Sequence, residues 1–260
     1  MKEFLGLGGY QRVPEGYLSW QHLLFVGSLL TLMVVLAILL GLKNRQTSAK
    51  EKNSVLIWSA LLLVGIELFK IAVVCVREAS WQPILRHLPL FLCTIQLLAL
   101  PIAAFAKGRI QEATTDFVCI FGLLGAVFGT LGAGQNYNAY PVLSLDNVVS
   151  GLTHSISGFA SLYVIIAKIA TLKKKNMWIT SGILGVFCIA AYIANVLIPY
   201  NYMFLMAGDG TPYDIFYNMV GGNPVLYPLL VVGLFVVYIA LFYGIVFWYR
   251  RRKSPISGQE

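Results

Sequence analysis

The stretch that decides the fold is residues 21–42, QHLLFVGSLLTLMVVLAILLGL, which contains no Asp, Glu, Lys or Arg. A spanning α-helix needs about 20 consecutive, mostly apolar residues, so this stretch reads as a transmembrane helix. It is too long for the core of a signal peptide, and no small-residue cleavage site follows it before Lys43 and Arg45, so it reads as a retained span. Working outward, comparable stretches fall at roughly 54–76, 84–106, 116–134, 148–171, 177–200 and 225–249. The whole composition agrees: 58% hydrophobic, 12% charged, mean hydropathy +0.76. The expectation is an all-α polytopic membrane protein, a bundle of seven transmembrane helices forming a single integral membrane domain over residues 1–260.

The net charge of +8 does not point to nucleic acid, because the basic residues cluster between apolar runs. Thirteen lysines and arginines fall at 43–53, 107–115, 172–176 and from Arg250 onward, against four (Lys2, Arg12, Arg77, Arg86) on the alternate side. Cytoplasmic loops carry the excess of Lys and Arg, which places the N-terminus outside and the C-terminus in the cytoplasm of a multi-pass cell-membrane protein. The four cysteines, Cys75, Cys93, Cys119 and Cys188, lie in apolar segments without CxxC or zinc-ligand spacing. No cofactor, metal or nucleotide site is indicated.

Two spans are irregular. His87, Pro89 and Pro101 interrupt the third, and Gly122, Gly125, Gly129, Gly132 and Gly134 punctuate the fourth. Glycines three or four residues apart let a neighbouring helix approach closely, so the fourth span is expected to pack centrally and not to act as a hinge.

Polar side chains inside spans are costly and prompt functional hypotheses. Glu67 and Lys70 are neighbours at i, i+3 on the second span. A structural ion pair, or Lys70 snorkelling outward, is the plain alternative to a functional pair. Cys93 lies about 13 Å along the third span, with Gln96 one turn later, and His154 about 9 Å along the fifth. Asn195 lies near the outer end of the sixth span. Glu67, Lys70, Cys93, His154 and Asn195, five side chains from four helices, converge on one layer in the outer half of the membrane. Ser150, Ser157 and Ser161 extend His154's face into a polar stripe expected to face the bundle interior. On their own, Cys93 reads as a small hydrophobe and His154 as a packed histidine bonded to a backbone carbonyl. Together, a thiol beside an imidazole suffices for covalent acyl transfer, with histidine taking the thiol proton and later protonating the leaving alcohol. The outer loop that opens with Asn201 and Tyr202 and runs to about 224 has no Lys or Arg. It stays open between a lid over the site and an ordinary connection.

Three motifs carry a resemblance: His87-Leu88-Pro89-Leu90-Phe91-Leu92-Cys93, His154 at the start of a Ser-rich helix, and Asn201-Tyr202-Met203-Phe204-Leu205. In these the chain resembles the YwaF-like bacterial integral membrane proteins, themselves related to the eukaryotic transmembrane protein 164 family. The resemblance runs from about residue 20 to 249. It implies a phospholipid acyltransferase with Cys93 as nucleophile and His154 as base. Glu67, Lys70, Gln96, Asn195, Asn201 and Tyr202 are then candidates for orienting the histidine or binding a lipid substrate. One departure is Asn223-Pro224-Val225-Leu226-Tyr227, which stands where the family usually has an aromatic Pro-Trp-Pro-like turn, so no lid role is carried to that turn.

The leading alternative is a transporter or small-molecule binding protein built on the Glu67/Lys70 layer, against which stand the lack of an internal repeat and of a clearly broken helix pair. A third is a non-catalytic partner in a membrane complex, using the Gly-rich fourth span as its contact surface. An enzyme needs Cys93 and His154, a transporter depends on Glu67 and Lys70, and a scaffold tolerates loss of all four.

Overall fold

The computed structural model describes residues 1–253, and among these every regular element is helical. In chain order these are α1 (Lys2–Leu5), α2 (Trp20–Lys43), α3 (Ala49–Glu78), α4 (Gln82–Arg86), α5 (Gln96–Phe105), α6 (Gly108–Leu131), α7 (Gly134–Ala139), α8 (Leu145–Ile166), α9 (Lys174–Leu197), a 3-10 turn (Tyr202–Phe204), α10 (Asp214–Met219) and α11 (Leu226–Lys253). Six of them, α2, α3, α6, α8, α9 and α11, are long and apolar enough to cross a membrane. The chain is a helical membrane protein.

Local chemistry sets the helix ends. Ser48 caps α3 reciprocally: its hydroxyl accepts from the Glu51 N–H at 3.3 Å, and the Glu51 carboxylate accepts from the Ser48 N–H at 3.0 Å. That capping box starts the helix at Ala49, ahead of the expected 54. Ser144 caps α8 by accepting from the Asn147 N–H at 3.2 Å. At the other end of α8, Lys168 takes φ 57° and Ile169 donates back to the Val164 carbonyl at 2.8 Å. This closes the helix before the expected 171. α9 stops at Leu197, two residues ahead of Pro199, whose ring cannot continue a helix. α6 begins at Gly108, after an extended Lys107, so most of the expected basic loop at 107–115 is helical.

The third expected span, a continuous helix over 84–106, is corrected. It is the five-residue α4, an irregular stretch through His87 to Ile95, and the ten-residue α5. Pro89 supplies no N–H and disfavours helical geometry at Leu88. Beyond it, the Thr94 hydroxyl accepts from the Phe91 N–H at 3.0 Å and donates to the Phe91 carbonyl at 3.2 Å, a local alternative to helical bonding. α5 at 1.5 Å per residue is about 15 Å long, roughly half the hydrocarbon thickness. Cys93 therefore sits in the break, outside any helix.

The chain divides into two compact units, Met1–Ala170 and the part from Thr171 onward. In the first, α6 and α8 share the most extensive packing, followed by α2 with α8. Absent side chains explain the close approach. A Cβ on Gly122 would meet the Ser157 carbonyl oxygen at 2.5 Å, one on Gly151 would meet Leu29 at 2.7 Å, and one on Gly158 would collide with Ala126 and Met33. Gly122 of the fourth span thus marks helix packing, as expected. Arg77 at the end of α3 holds Asp146 at the start of α8 through two bonds of 2.7 and 3.0 Å, and Tyr10 donates to the same carboxylate at 2.6 Å. Burial and the neighbouring Asp146 push the Tyr10 phenol up to about 12. Glu15 accepts from the Val142 N–H at 2.8 Å and pairs with Arg12. Burial opposes ionisation of Glu15, but those bonds hold its carboxyl below the usual range.

In the second unit, α9 packs against α11. The Arg250 guanidinium donates to the carbonyls of Leu172 and Thr171 at 3.0 and 3.1 Å, tying the end of α11 to the segment that precedes α9.

Candidate active site

The break between α4 and α5 delivers Cys93 to a small cavity in the first unit that is also lined by Glu67, Gln96, Thr153, His154 and Ser157. α3 contributes Glu67, α8 contributes His154, and Gln96 is the first residue of α5. Cys93 and His154 are both half-buried, and both line this cavity. Their matching depth in the sequence only permitted this encounter.

His154 is held by its own helix. Its Nδ1 lies 2.7 Å from the Ser150 carbonyl oxygen and 3.4 Å from the Ser150 hydroxyl. A carbonyl can only accept, so Nδ1 carries a proton, and in the neutral ring Nε2 then presents a lone pair. A ring in that tautomer can take a proton from a thiol. The plain reading of His154, a histidine bonded to a backbone carbonyl, is therefore correct for one nitrogen and leaves the other free for chemistry.

α6 makes room for both groups. A Cβ at Gly129 would fall on the His154 ring, and one at Gly125, a turn earlier, would lie 3.4 Å from the Cys93 Cβ. These hollows are site features that sequence reading missed. The signal was present in the four-residue spacing of the two glycines, which was read as packing alone.

Glu67 is 5% exposed and pairs with Lys70 on its own helix at 2.6 Å. The same carboxylate oxygen lies 3.6 Å from His87 Nδ1, so α3 is linked to the break. This is the ion pair that the i, i+3 spacing predicted, and His154 is oriented by Ser150 instead. Gln96 is 1% exposed, and neither its amide nitrogen nor its amide oxygen has a partner among the described residues.

Asn195, Asn201 and Tyr202 lie in the second unit and bond among themselves and their loop. Asn195 accepts from the Tyr202 N–H at 2.6 Å and donates to the Tyr202 carbonyl at 3.0 Å. Asn201 donates to the Ala207 carbonyl and the Asp209 carboxylate at 2.7 and 2.6 Å and accepts from the Met206 N–H at 2.9 Å. All four cysteines are free thiols; Cys119 and Cys188 are buried in α6 and α9. No group of three or more His, Cys, Asp or Glu side chains suited to a metal ion occurs among the described residues.

Comparison with protein families gives one match, the TMEM164 family, whose model covers residues 17–249. No curated protein and no solved structure matches the chain.

Proposed function

The chain belongs to the TMEM164 family, and from that premise and the cavity geometry we propose that it is a membrane-embedded acyltransferase acting on phospholipid through Cys93 and His154. The observation that carries this reading is that a free thiol and a histidine with its Nδ1 fixed on a carbonyl line one cavity. His154 Nε2 takes the Cys93 proton, and the thiolate attacks an ester carbonyl of the lipid. The tetrahedral intermediate collapses with release of the alcohol, which receives the proton from the imidazolium. An acceptor alcohol or water then reverses the sequence and frees the thiol.

Within the family we place the chain beside the YwaF-like bacterial members, in the cell membrane. The α4–break–α5 segment then counts as a seventh, broken crossing, which keeps the N-terminus outside and the C-terminus inside, as the charge distribution requires.

One observation favours the transporter reading: a broken crossing beside the buried Glu67–Lys70 pair, since unwound helices often line transport sites. Mass spectrometry of the intact purified protein after incubation with phospholipid separates the two. The expected result is a hydroxylamine-labile acyl adduct on wild type, absent from Cys93→Ala. No adduct on wild type transfers the case to transport and to variants of Glu67 and Lys70.

A further inference from the structure

We propose that the side-chain amide of Gln96 is a catalytic group that stabilises the oxyanion formed when Cys93 attacks the ester carbonyl. The proposal deepens the acyltransferase reading and rests on Cys93 being the nucleophile.

A Gln side chain in a membrane protein's interior carries two N–H donors and a carbonyl acceptor, and burial without partners is unfavourable enough that nearly all such groups are paired. Gln96 is 1% exposed with both amide atoms unpaired among the described residues, and it borders the cavity that Cys93 and His154 share. The residues around it do not use it. His154 is oriented by Ser150, and Glu67 by Lys70 and His87. Its pairing is therefore left to whatever enters the cavity.

Cys93 and Gln96 hang from one turn of the chain. Gln96 donates its backbone N–H to the Cys93 carbonyl at 3.4 Å, closing a tight turn that sets positions three apart on one side. Nucleophile and amide are thereby anchored to the same turn, at the N-terminal end of α5, where the helix dipole is positive.

During the reaction, the Cys93 Sγ–carbon bond forms as the carbonyl π pair moves onto oxygen. Gln96 Nε2–H donates to that oxygen. On collapse the pair returns, the ester C–O bond breaks, and the alcohol takes the proton held on His154 Nε2. The amide gains and loses no proton, so Gln96 needs no titration to act. A donor aimed where charge develops stabilises the transition state more than the bound ester, which lowers kcat when it is removed.

The test uses the full chain in detergent and two probes of the same thiol. Iodoacetamide alkylates a thiolate by direct displacement and forms no oxyanion; a chromogenic octanoyl ester acylates it through one. For Gln96→Met, of similar size, acylation should slow by about 100- to 1,000-fold, with KM for the ester little changed and alkylation unaffected. Gln96→Glu, which supplies an acceptor where a donor is needed, should be impaired as strongly, and Gln96→Asn reports if the methionine variant fails to fold. Unchanged acylation in Gln96→Met overturns the assignment, and so does a parallel fall in alkylation, which would make Gln96 a positioning residue for the Cys93–His154 pair. A wild type that is alkylated but never acylated overturns the acyltransferase reading itself, and this inference with it.

Discussion

The two units each contain a cluster of polar side chains in an apolar setting, and the clusters differ in one respect. Around Asn195, Asn201 and Tyr202 the donors and acceptors close on one another and on the loop backbone. Around Cys93, His154 and Gln96 they do not: the imidazole keeps one nitrogen available, and the amide has no partner among the described residues. Both patterns look alike as polar letters in a hydrophobic sequence. The difference teaches that polarity inside a membrane protein marks a fold device when it is internally satisfied and a site when it is left open at a cavity.

The sharpest way to break the comparison is to remove the open groups. His154→Ala should slow acylation of Cys93 by about 100- to 10,000-fold, the range for loss of a positioned acid–base, measured by stopped-flow with an octanoyl ester; a rate near wild type would leave the imidazole without a role. Next in size is Gly129→Ala, whose added methyl must displace the ring it would meet. A shift of the order of 1 Å costs roughly 100-fold, read as kcat at constant KM. Gly125→Ala, with its Cβ 3.4 Å from that of Cys93, should show a lesser effect in the same assay.

Stability separates the clusters from the other direction. Asn195→Leu removes the acceptor of the buried Tyr202 N–H, a loss worth about 1–3 kcal/mol, and should lower the thermal midpoint in detergent. Gln96→Met removes two groups that have no partner among the described residues, and should leave the midpoint unchanged or raised. A large drop for Gln96→Met would mean that its amide is structurally paired. The smallest expected effect is at Glu15. Its folded carboxyl titrates below the unfolded range, so the stability it adds is present above that range and is lost as pH falls through the folded value. Glu15→Gln should melt slightly below wild type at neutral pH and coincide with it in strong acid.

Much of the fold was legible because lipid imposes a length rule: the runs at 21–42, 54–76, 148–171, 177–200 and 225–249 all became helices with ends shifted by a few residues. The shifts followed caps that hydropathy does not register, such as Ser48 with Glu51 and the left-handed Lys168. The run at 84–106 failed as a continuous helix because hydropathy averages over Pro89, whereas the backbone breaks at a single missing donor. In the site, the spacing of Glu67 and Lys70 gave their pairing directly, since one helix decides it. The meeting of Cys93 with His154 needed three helices to be placed, and Gly125 and Gly129 fix it by what they lack. Asn195, Asn201 and Tyr202 were grouped with the site by depth alone, but hydrogen-bond partners, which depth cannot supply, tie them to their own loop.

The acceptor that orients His154 has a genetic consequence. The Ser150 oxygen at 2.7 Å from Nδ1 belongs to the main chain, and every codon at position 150 encodes that same carbonyl. Saturation mutagenesis would therefore score Cys93 and His154 as intolerant and pass over the partner between base and backbone. A third member of the constellation of this kind cannot be lost by substitution, only by deforming the helix that carries it.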